Sequence, residues 1–502
     1  MDLVFQEKSI AYLQKLVSQA KSQEETAEVI IQDRDPDIGR IVGCWGIPVI
    51  RSKELQQNTM GVSGGITAWV LYVPEDGSAP RQAATYLPFT MKWDIPSTER
   101  DGSMLVTCGL QSIDARMINS RKLLVRATVS CEASLHTSGE AVFHTLENPP
   151  KELEVLRDRL SLRLPSEVAE KSFTLDDELE LPGGTPEIDR IVAYQLTPQV
   201  RDSKVLGEKA LFKGICGIHL IYMTPEERLA TWDFELPFSQ YTELSRHYDQ
   251  EETLQTSLLL TGTELDTAED RRHLLLKCGI CAQCSVLCEQ VLDVVMDLYG
   301  VRQAVKPEFS TLPIRSRLDR QQLQTMAEIQ FPMRGSSLID STVLPGTSRV
   351  SRSGDNASIE IPVWCSILYY DEDGSLQGRN SRDSARAELR LADGCPLESA
   401  GQPSGPVQWT PGSAGTQVRI PMSIIADSYS DQELTMVSGA QVAEPIRPDP
   451  NRPSVIIRAP SPEDTLWTLA KTYGSTVSAI QGANHLNGGI SGNEKLLLIP
   501  IL

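Results

Sequence analysis

Nothing in this chain of 502 residues looks like a membrane anchor, because no run of about 18 apolar residues occurs. Positive charge is scarce: 47 Lys and Arg stand against 67 Asp and Glu, for a net of −20. No basic run breaks that deficit. A nucleic-acid binder gains affinity when Lys and Arg release counterions, so no nucleic-acid partner is expected. A basic protein partner suits the charge better. Ten cysteines are too few for a disulfide scaffold, and reduced thiols are the default. Six histidines lie scattered without the paired spacing of a zinc site, and there is no phosphate loop. Neither metal nor cofactor is expected. Met1 to Lys8 lacks the basic-then-apolar profile of a signal peptide, so the reading is of a protein that starts in the cytoplasm.

What the chain does have is a repeat. Pro36-Asp37-Ile38-Gly39-Arg40-Ile41-Val42 returns as Pro186-Glu187-Ile188-Asp189-Arg190-Ile191-Val192. Val62 to Tyr72 is answered by Gly214 to Tyr222, and Leu87-Pro88-Phe89 by Leu236-Pro237-Phe238. The intervals Arg40 to Leu87 and Arg190 to Leu236 agree to within one residue. Arg121-Lys122-Leu123-Leu124-Val125 answers Arg271-Arg272-His273-Leu274-Leu275. Spacing kept over several landmarks signals a duplicated domain. A looser third copy ends its strand Ile359 to Tyr370 in Asp371-Glu372-Asp373-Gly374, an echo of Pro74-Glu75-Asp76-Gly77. It lacks the Leu-Pro-Phe landmark, and Gly401 to Gly415 reads as a loop insertion.

Val62, Gly64, Ile66, Ala68, Val70 and Tyr72 alternate with their neighbours at period two, the signature of a strand. Ile10, Leu13, Leu16, Val17 and Ala20 sit instead at helical spacing. The predicted organisation is an N-terminal helix over 1–24, β domains over 25–165, 166–302 and 303–443, a Pro-rich spacer over 444–453 and a small domain over 454–502. Leu153 to Leu156 and Leu292 to Val295 close the first two copies in this scheme. The fold class is mainly β: tandem antiparallel β-sandwich-like repeats followed by a small β-α-α-β domain.

In that last domain Val455 to Ile457 reads as a strand, Asp464 to Tyr473 as a helix stopped by Gly474, Val477 to Asn484 as a second helix and Leu496 to Ile499 as a closing strand. With Asp464-Thr465-Leu466-Trp467, Leu469-Ala470, Tyr473-Gly474, Ile480, Ala483-Asn484 and Gly492, it resembles a LysM domain. The resemblance implies affinity for N-acetylglucosamine glycans such as peptidoglycan or its precursor. It places the sugar in a shallow groove between Glu463, Asp464, Thr465 and Leu466 on one side and Gly488, Gly489, Ile490 and Ser491 on the other. Glu463 stands where the family usually has Gly, and a carboxylate there repels anionic glycan or favours a protein ligand.

The repeats, on Pro36 to Val42, Val62 to Tyr72, Pro74 to Gly77, Leu87 to Phe89, Asp114-Ala115-Arg116 and Arg121 to Val129, resemble SPOCS domains, the modules of SipL-type spore morphogenetic proteins. That resemblance implies a non-enzymatic scaffold in the mother cell, at the forespore surface. It would tether the ATPase of the coat's basement layer and other coat proteins, with the LysM domain engaging glycan or a coat partner. The rivals are a LysM-targeted cell-wall enzyme and a generic peptidoglycan-binding protein.

Two motifs suggest chemistry. Cys278-x-x-Cys281-x-x-Cys284-x-x-x-Cys288 has the spacing of a ferredoxin loop. The repeat sets Cys278 opposite Thr128 in a strand, where Cys278 and Cys284 stand about 20 Å apart and cannot converge on a cluster. Gly61-Val62-Ser63-Gly64-Gly65 matches the hydrolase elbow, but that motif needs a helix after it and here a strand follows.

Overall fold

The structure, a computed structural model, describes residues 3–96, 102–333, 337–392, 394–412, 415–445, 452–486, 488–490 and 496–502. It is mainly β, with every strand pair antiparallel. The first unit holds β1 (Phe5–Ile30), β2 (Ile38–Gln56), β3 (Thr59–Pro74), β4 (Arg81–Asp94), β5 (Gly102–Asn119) and β6 (Lys122–Leu146). The second holds β7 (Leu153–Glu180), β8 (Arg190–Met223), β9 (Leu229–Tyr248), β10 (Thr253–Thr267) and β11 (His273–Gly300). The third holds β12 (Gln303–Phe331), β13 (Ser337–Pro345), β14 (Arg349–Ser353), β15 (Asn356–Tyr370), β16 (Leu376–Arg390), β17 (Leu397–Pro403), β18 (Gln408–Gly412) and β19 (Gly415–Pro445). A small domain follows with β20 (Val455–Arg458), α1 (Leu466–Tyr473), α2 (Val477–Asn484) and β21 (Leu497–Pro500).

Each unit is closed by its own ends. β1 pairs with β6, β7 with β11 and β12 with β19 along nearly their whole length. This corrects the expected boundaries. The cut at 165/166 falls inside β7, and Leu153 to Leu156 opens the second unit rather than closing the first. The helix expected over 1–24 is strand β1. Ile10 and Tyr12 pack into one apolar cluster, whereas Val17, Ala27 and Val29 pack into another, with a bulge between Lys15 and Val17. A one-residue slip in an alternating pattern leaves a three-residue gap, which imitates helical periodicity. Most of the described part of Gly401 to Gly415 is not an open insertion either: β17 and β18 pair with β19.

In the first unit the sheet β1-β6-β5 faces the sheet β2-β3-β4. The even positions Val62 to Tyr72 fill the core between them, with Val125, Val129 and Leu135 opposite. The other face of β3 is apolar as well. Trp69 and Leu71 join the core of the second unit, where Trp69 lies 4.7 Å from Tyr194 between ring centroids. Burial on both faces explains why the run around Trp69 is apolar without interruption. Beyond the sandwiches the three end-strand ribbons meet along a shared apolar seam of Phe143, Leu162, Leu292, Val294, Leu434 and Met436.

The repeat is visible in atomic detail. Arg121 donates to the carbonyls of Asp35 (2.7 Å) and Ile31 (3.1 Å) and to Asp37 Oδ1 (2.9 Å). Arg272 donates to the carbonyls of Thr185 (3.2 Å), Leu181 (3.0 Å) and Pro182 (2.8 Å). Tyr72 and Tyr222 donate their hydroxyls to the carbonyls of Pro36 and Pro186. The counterpart of Arg121 is therefore Arg272, one residue later than the sequence comparison set it. The segment preceding β11 has absorbed one extra residue, so the residue matching Cys278 is Ala127 rather than Thr128.

Polar links tie the units together. Trp45 Nε1 of the first donates to Thr342 Oγ1 of the third at 3.1 Å. His219 of the second lies between Asp233 of its own sheet (2.6 Å) and Asp340 of the third (2.9 Å).

Candidate glycan-binding groove

The small domain packs Leu466, Leu469, Ala470, Ile480, Leu497 and Ile499 into one core. Thr465 caps α1 reciprocally with Thr468: the N–H of Thr468 donates to Thr465 Oγ1 (3.0 Å), and the N–H of Thr465 donates to Thr468 Oγ1 (2.9 Å). Gly474 ends the helix in the left-handed region at φ 64°, where a Cβ would be strained. Thr476 caps α2. Asn484 holds the closing strand, donating to the carbonyl of Leu498 (2.6 Å) and accepting from its N–H (2.8 Å).

The predicted groove residues fall into three groups. Leu466 belongs to the core, and Ile490 is half-buried against it. Asp464 and Thr465 are engaged in building the loop. Asp464 accepts from the N–H of Ser461 (2.8 Å) and from Arg458 (3.2 Å), which hold its carboxyl below the usual range. Glu463, Gly488 and Gly489 are exposed, and a Cβ on either glycine would meet open space. Ser491 lies outside the described residues. Of the described groove residues, Glu463, Gly488 and Gly489 are thus the exposed ones that take no part in the core or the helix cap, and the Gly488 carbonyl accepts from Gln481 Nε2 at 3.1 Å.

The domain is seated on the end of β11. Trp467 Nε1 donates to Asp297 Oδ2 (2.8 Å), and Lys471 Nζ lies 2.7 Å from both oxygens of the same carboxylate. Tyr299 donates to the carbonyl of Ser475 (2.9 Å) and packs edge-on against Trp467 with centroids 5.0 Å apart. Sequence reasoning missed this seat. Its signal was Trp467 with Lys471 one turn on, beside the stripe that fills the core. The sequence placed a Pro-rich spacer over 444–453 ahead of this domain. Most of it lies outside the described residues, and the domain it leads to is docked.

The two chemical motifs are structural in their setting. Ser63 lies within β3, with strand before and after it, and shares a hydrogen bond with Ser52 at 2.7 Å. Cys278, Cys284 and Cys288 point into the core of the second unit, whereas Cys281 enters the core of the first beside Leu259. Burial pushes the Cys284 thiol up to about 11, and a hydrogen bond that Cys278 donates to Cys216, together with burial, raises Cys278. Thiols so placed stay protonated and unreactive. Among the described residues no group of three or more His, Cys, Asp or Glu could hold a metal ion, and no helix is long and apolar enough to cross a membrane.

Compared with known families, residues 461–489 match the LysM domain. That match suggests binding of peptidoglycan or a related glycan. No curated protein and no solved structure matches the chain.

Proposed function

We propose that the chain is a non-enzymatic assembly scaffold whose three β units are SPOCS-like modules and whose LysM domain engages peptidoglycan or its precursor. In this reading it works in the mother cell at the forespore surface and tethers the coat's basement-layer ATPase and other coat proteins. The observation that carries the glycan part is the orientation of the LysM domain. Trp467 and Lys471 hold it to β11 while Glu463, Gly488 and Gly489 stay exposed. A module fixed in this way presents its groove without the entropy cost of ordering a free tail. The strand setting of Ser63 and the buried thiols favour a scaffold over a cell-wall enzyme or a redox protein.

Pelleting with insoluble peptidoglycan tests the glycan part. Gly488→Arg and Gly489→Arg should fold normally and pellet several-fold less. Equal pelleting would remove the groove from the account. A protein ligand for the LysM domain is favoured by a separate observation. The outer face of its two-stranded sheet exposes Val455 at 48%, Ile457 at 63% and Leu498 at 39%. Ile457→Asp should then abolish capture of the coat ATPase and leave peptidoglycan pelleting intact. Detection of wall hydrolysis by the purified chain would overturn the scaffold reading and restore the targeted enzyme.

A further inference from the structure

Where the three ribbons diverge toward their sandwiches they enclose a cavity of about 570 Å³ lined from all three units. Its walls carry four basic side chains, Lys15, Arg163, Arg315 and Arg317, and four carboxylates, Glu398, Asp427, Asp431 and Glu433. The count balances, but the pairing does not. Glu398 is taken by Lys15 (2.8 Å) and Arg315 (3.0 Å), and Asp431 lies 3.7 Å from Arg315. Asp427 is taken by Arg320, which grips both its oxygens at 2.9 Å. Glu433 is exposed on the strand surface.

Arg317 is left over. Only 6% of it is exposed, yet it makes no hydrogen bond to a carboxylate among the described residues. Asp427 is 3.8 Å away, and the Arg317 Nε has no partner. With its amide oxygen turned toward them, Gln255 accepts from Arg317 and Arg320, a neutral partner for two cations. Burial, against the pull of Asp427, and then the guanidiniums of Arg320 and Arg163 lower the pKa of Arg317. Arg163 has no ion pair of its own among the described residues, and its N–H is held by Ser316 Oγ at 2.9 Å, next to Arg317 in the chain. His136, 5% exposed and with Nδ1 unpartnered, completes the wall from the first unit. A buried guanidinium crowded by two others and given one shared carboxylate is costly unless a counter-anion joins it.

We propose that this cavity binds a small oxyanion, a phosphate or carboxylate group, clamped between Arg317 and Arg163 where the three units meet. Two guanidinium forks suit the planar or tetrahedral oxygens of such a group, whereas a cation or an uncharged sugar would leave the excess charge standing. Because Arg163 belongs to β7 and Arg317 to β12, occupancy would fasten the second unit to the third.

The test uses the full chain at fixed ionic strength, titrated with inorganic phosphate and, separately, with citrate, read by thermal unfolding and calorimetry. A saturable rise in Tm is expected in at least one arm, and the arm that saturates at lower concentration assigns the oxyanion. Arg163→Ala, at an exposed side chain, should weaken binding about tenfold by removing one charge-assisted contact. Arg34→Ala, remote and exposed, should leave it unchanged. Arg317→Met should raise Tm in anion-free buffer and abolish the response, because it removes the uncompensated charge. No saturable response to either anion, or the same affinity in Arg163→Ala as in the parent, overturns the proposal.

Discussion

Gly64 faces Phe89 across β3 and β4, and Gly214 faces Phe238 across β8 and β9. At the matching place in the third unit, counted back from the glycine turns at Gly77 and Gly374, Ile361 faces Ala385. In the first two units the phenylalanine ring lies over the glycine. A Cβ there would come within 2.8 Å of Phe89 or 2.5 Å of Phe238 and would also overlap the carbonyl of Val49 or Gln199. In the third the volume has crossed to the other strand: Ile361 is fully buried and Ala385 is the small partner. Cores tolerate such exchanges when total volume and patterning are kept. The two arrangements are alternative fillings of one slot.

Breaking that slot should give the largest effect. Phe89→Ala or Phe238→Ala should cost about 3–5 kcal/mol in urea titration by leaving a cavity over the glycine. Gly64→Ile alone should be at least as damaging, since the backbone at Val49 has to move. Combined with Phe89→Ala it should recover part of the loss, with a coupling of about 1–3 kcal/mol. Strict additivity would mean that the third unit is not an exchanged version of the first.

The arginine clamp separates the units next. Arg121 and Arg272 each gather carbonyls of the segment that enters the second strand of their unit, whereas among the described residues of the third Tyr369 accepts from Arg379 (3.1 Å). Arg121→Met and Arg272→Met should each cost about 2–3 kcal/mol, the range for hydrogen bonds to a charged group. Amide exchange should quicken at 31–37 in the one and at 181–187 in the other. Unchanged protection in both would show that the clamp is not what holds these segments.

These elements also show what was readable beforehand. The duplication was legible because Arg40, Tyr72 and Phe89 recur with their spacing, and each recurrence proves to be a packing or hydrogen-bonding device, Arg40 donating to the carbonyl of Leu376 and Arg190 to that of Pro80. The third unit was faint because its slot is filled from the opposite strand, so the landmark phenylalanine is absent although the volume is not. β1 was misread because its partner, β6, is a hundred residues away in the chain, and nothing local distinguishes a slipped alternation from a helical stripe. The LysM core and caps were legible, since capping and a glycine stop are local. The seat on Asp297 and Tyr299 was not, because it joins residues far apart in sequence.

His219 bridges the second unit to the third, and their interface should respond to pH. Burial opposes its charge, but hydrogen bonds to Asp233 and Asp340 outweigh that and push its pKa up to about 10. A group raised in the folded state favours folding fully below its unfolded pKa, near 6.5, and loses that contribution as pH rises through about 10. Stability should therefore fall between pH 7 and pH 10 by about 1–3 kcal/mol, the scale of a charged hydrogen bond. His219→Gln should flatten that slope. A slope that survives in the variant would assign it to other groups.

The smallest effect should come from the feature that marks the second unit off from the other two, the domain seated on β11. Asp297→Ala removes the acceptor for Trp467 Nε1 and the ion pair with Lys471, but it leaves the edge-on contact of Tyr299 with Trp467 and the Tyr299 bond to Ser475. The ammonium is partly exposed, so its share is small, and the total should be about 1 kcal/mol. The loss should be local. Amide exchange should quicken over 466–473 and across the docked end of β11, with the cores of the three β units unchanged. The groove should still bind, but more weakly, since a loosened domain must be ordered again on each encounter. If exchange quickens and glycan binding is unaffected, the seat serves stability alone and the link drawn between docking and presentation of the groove fails.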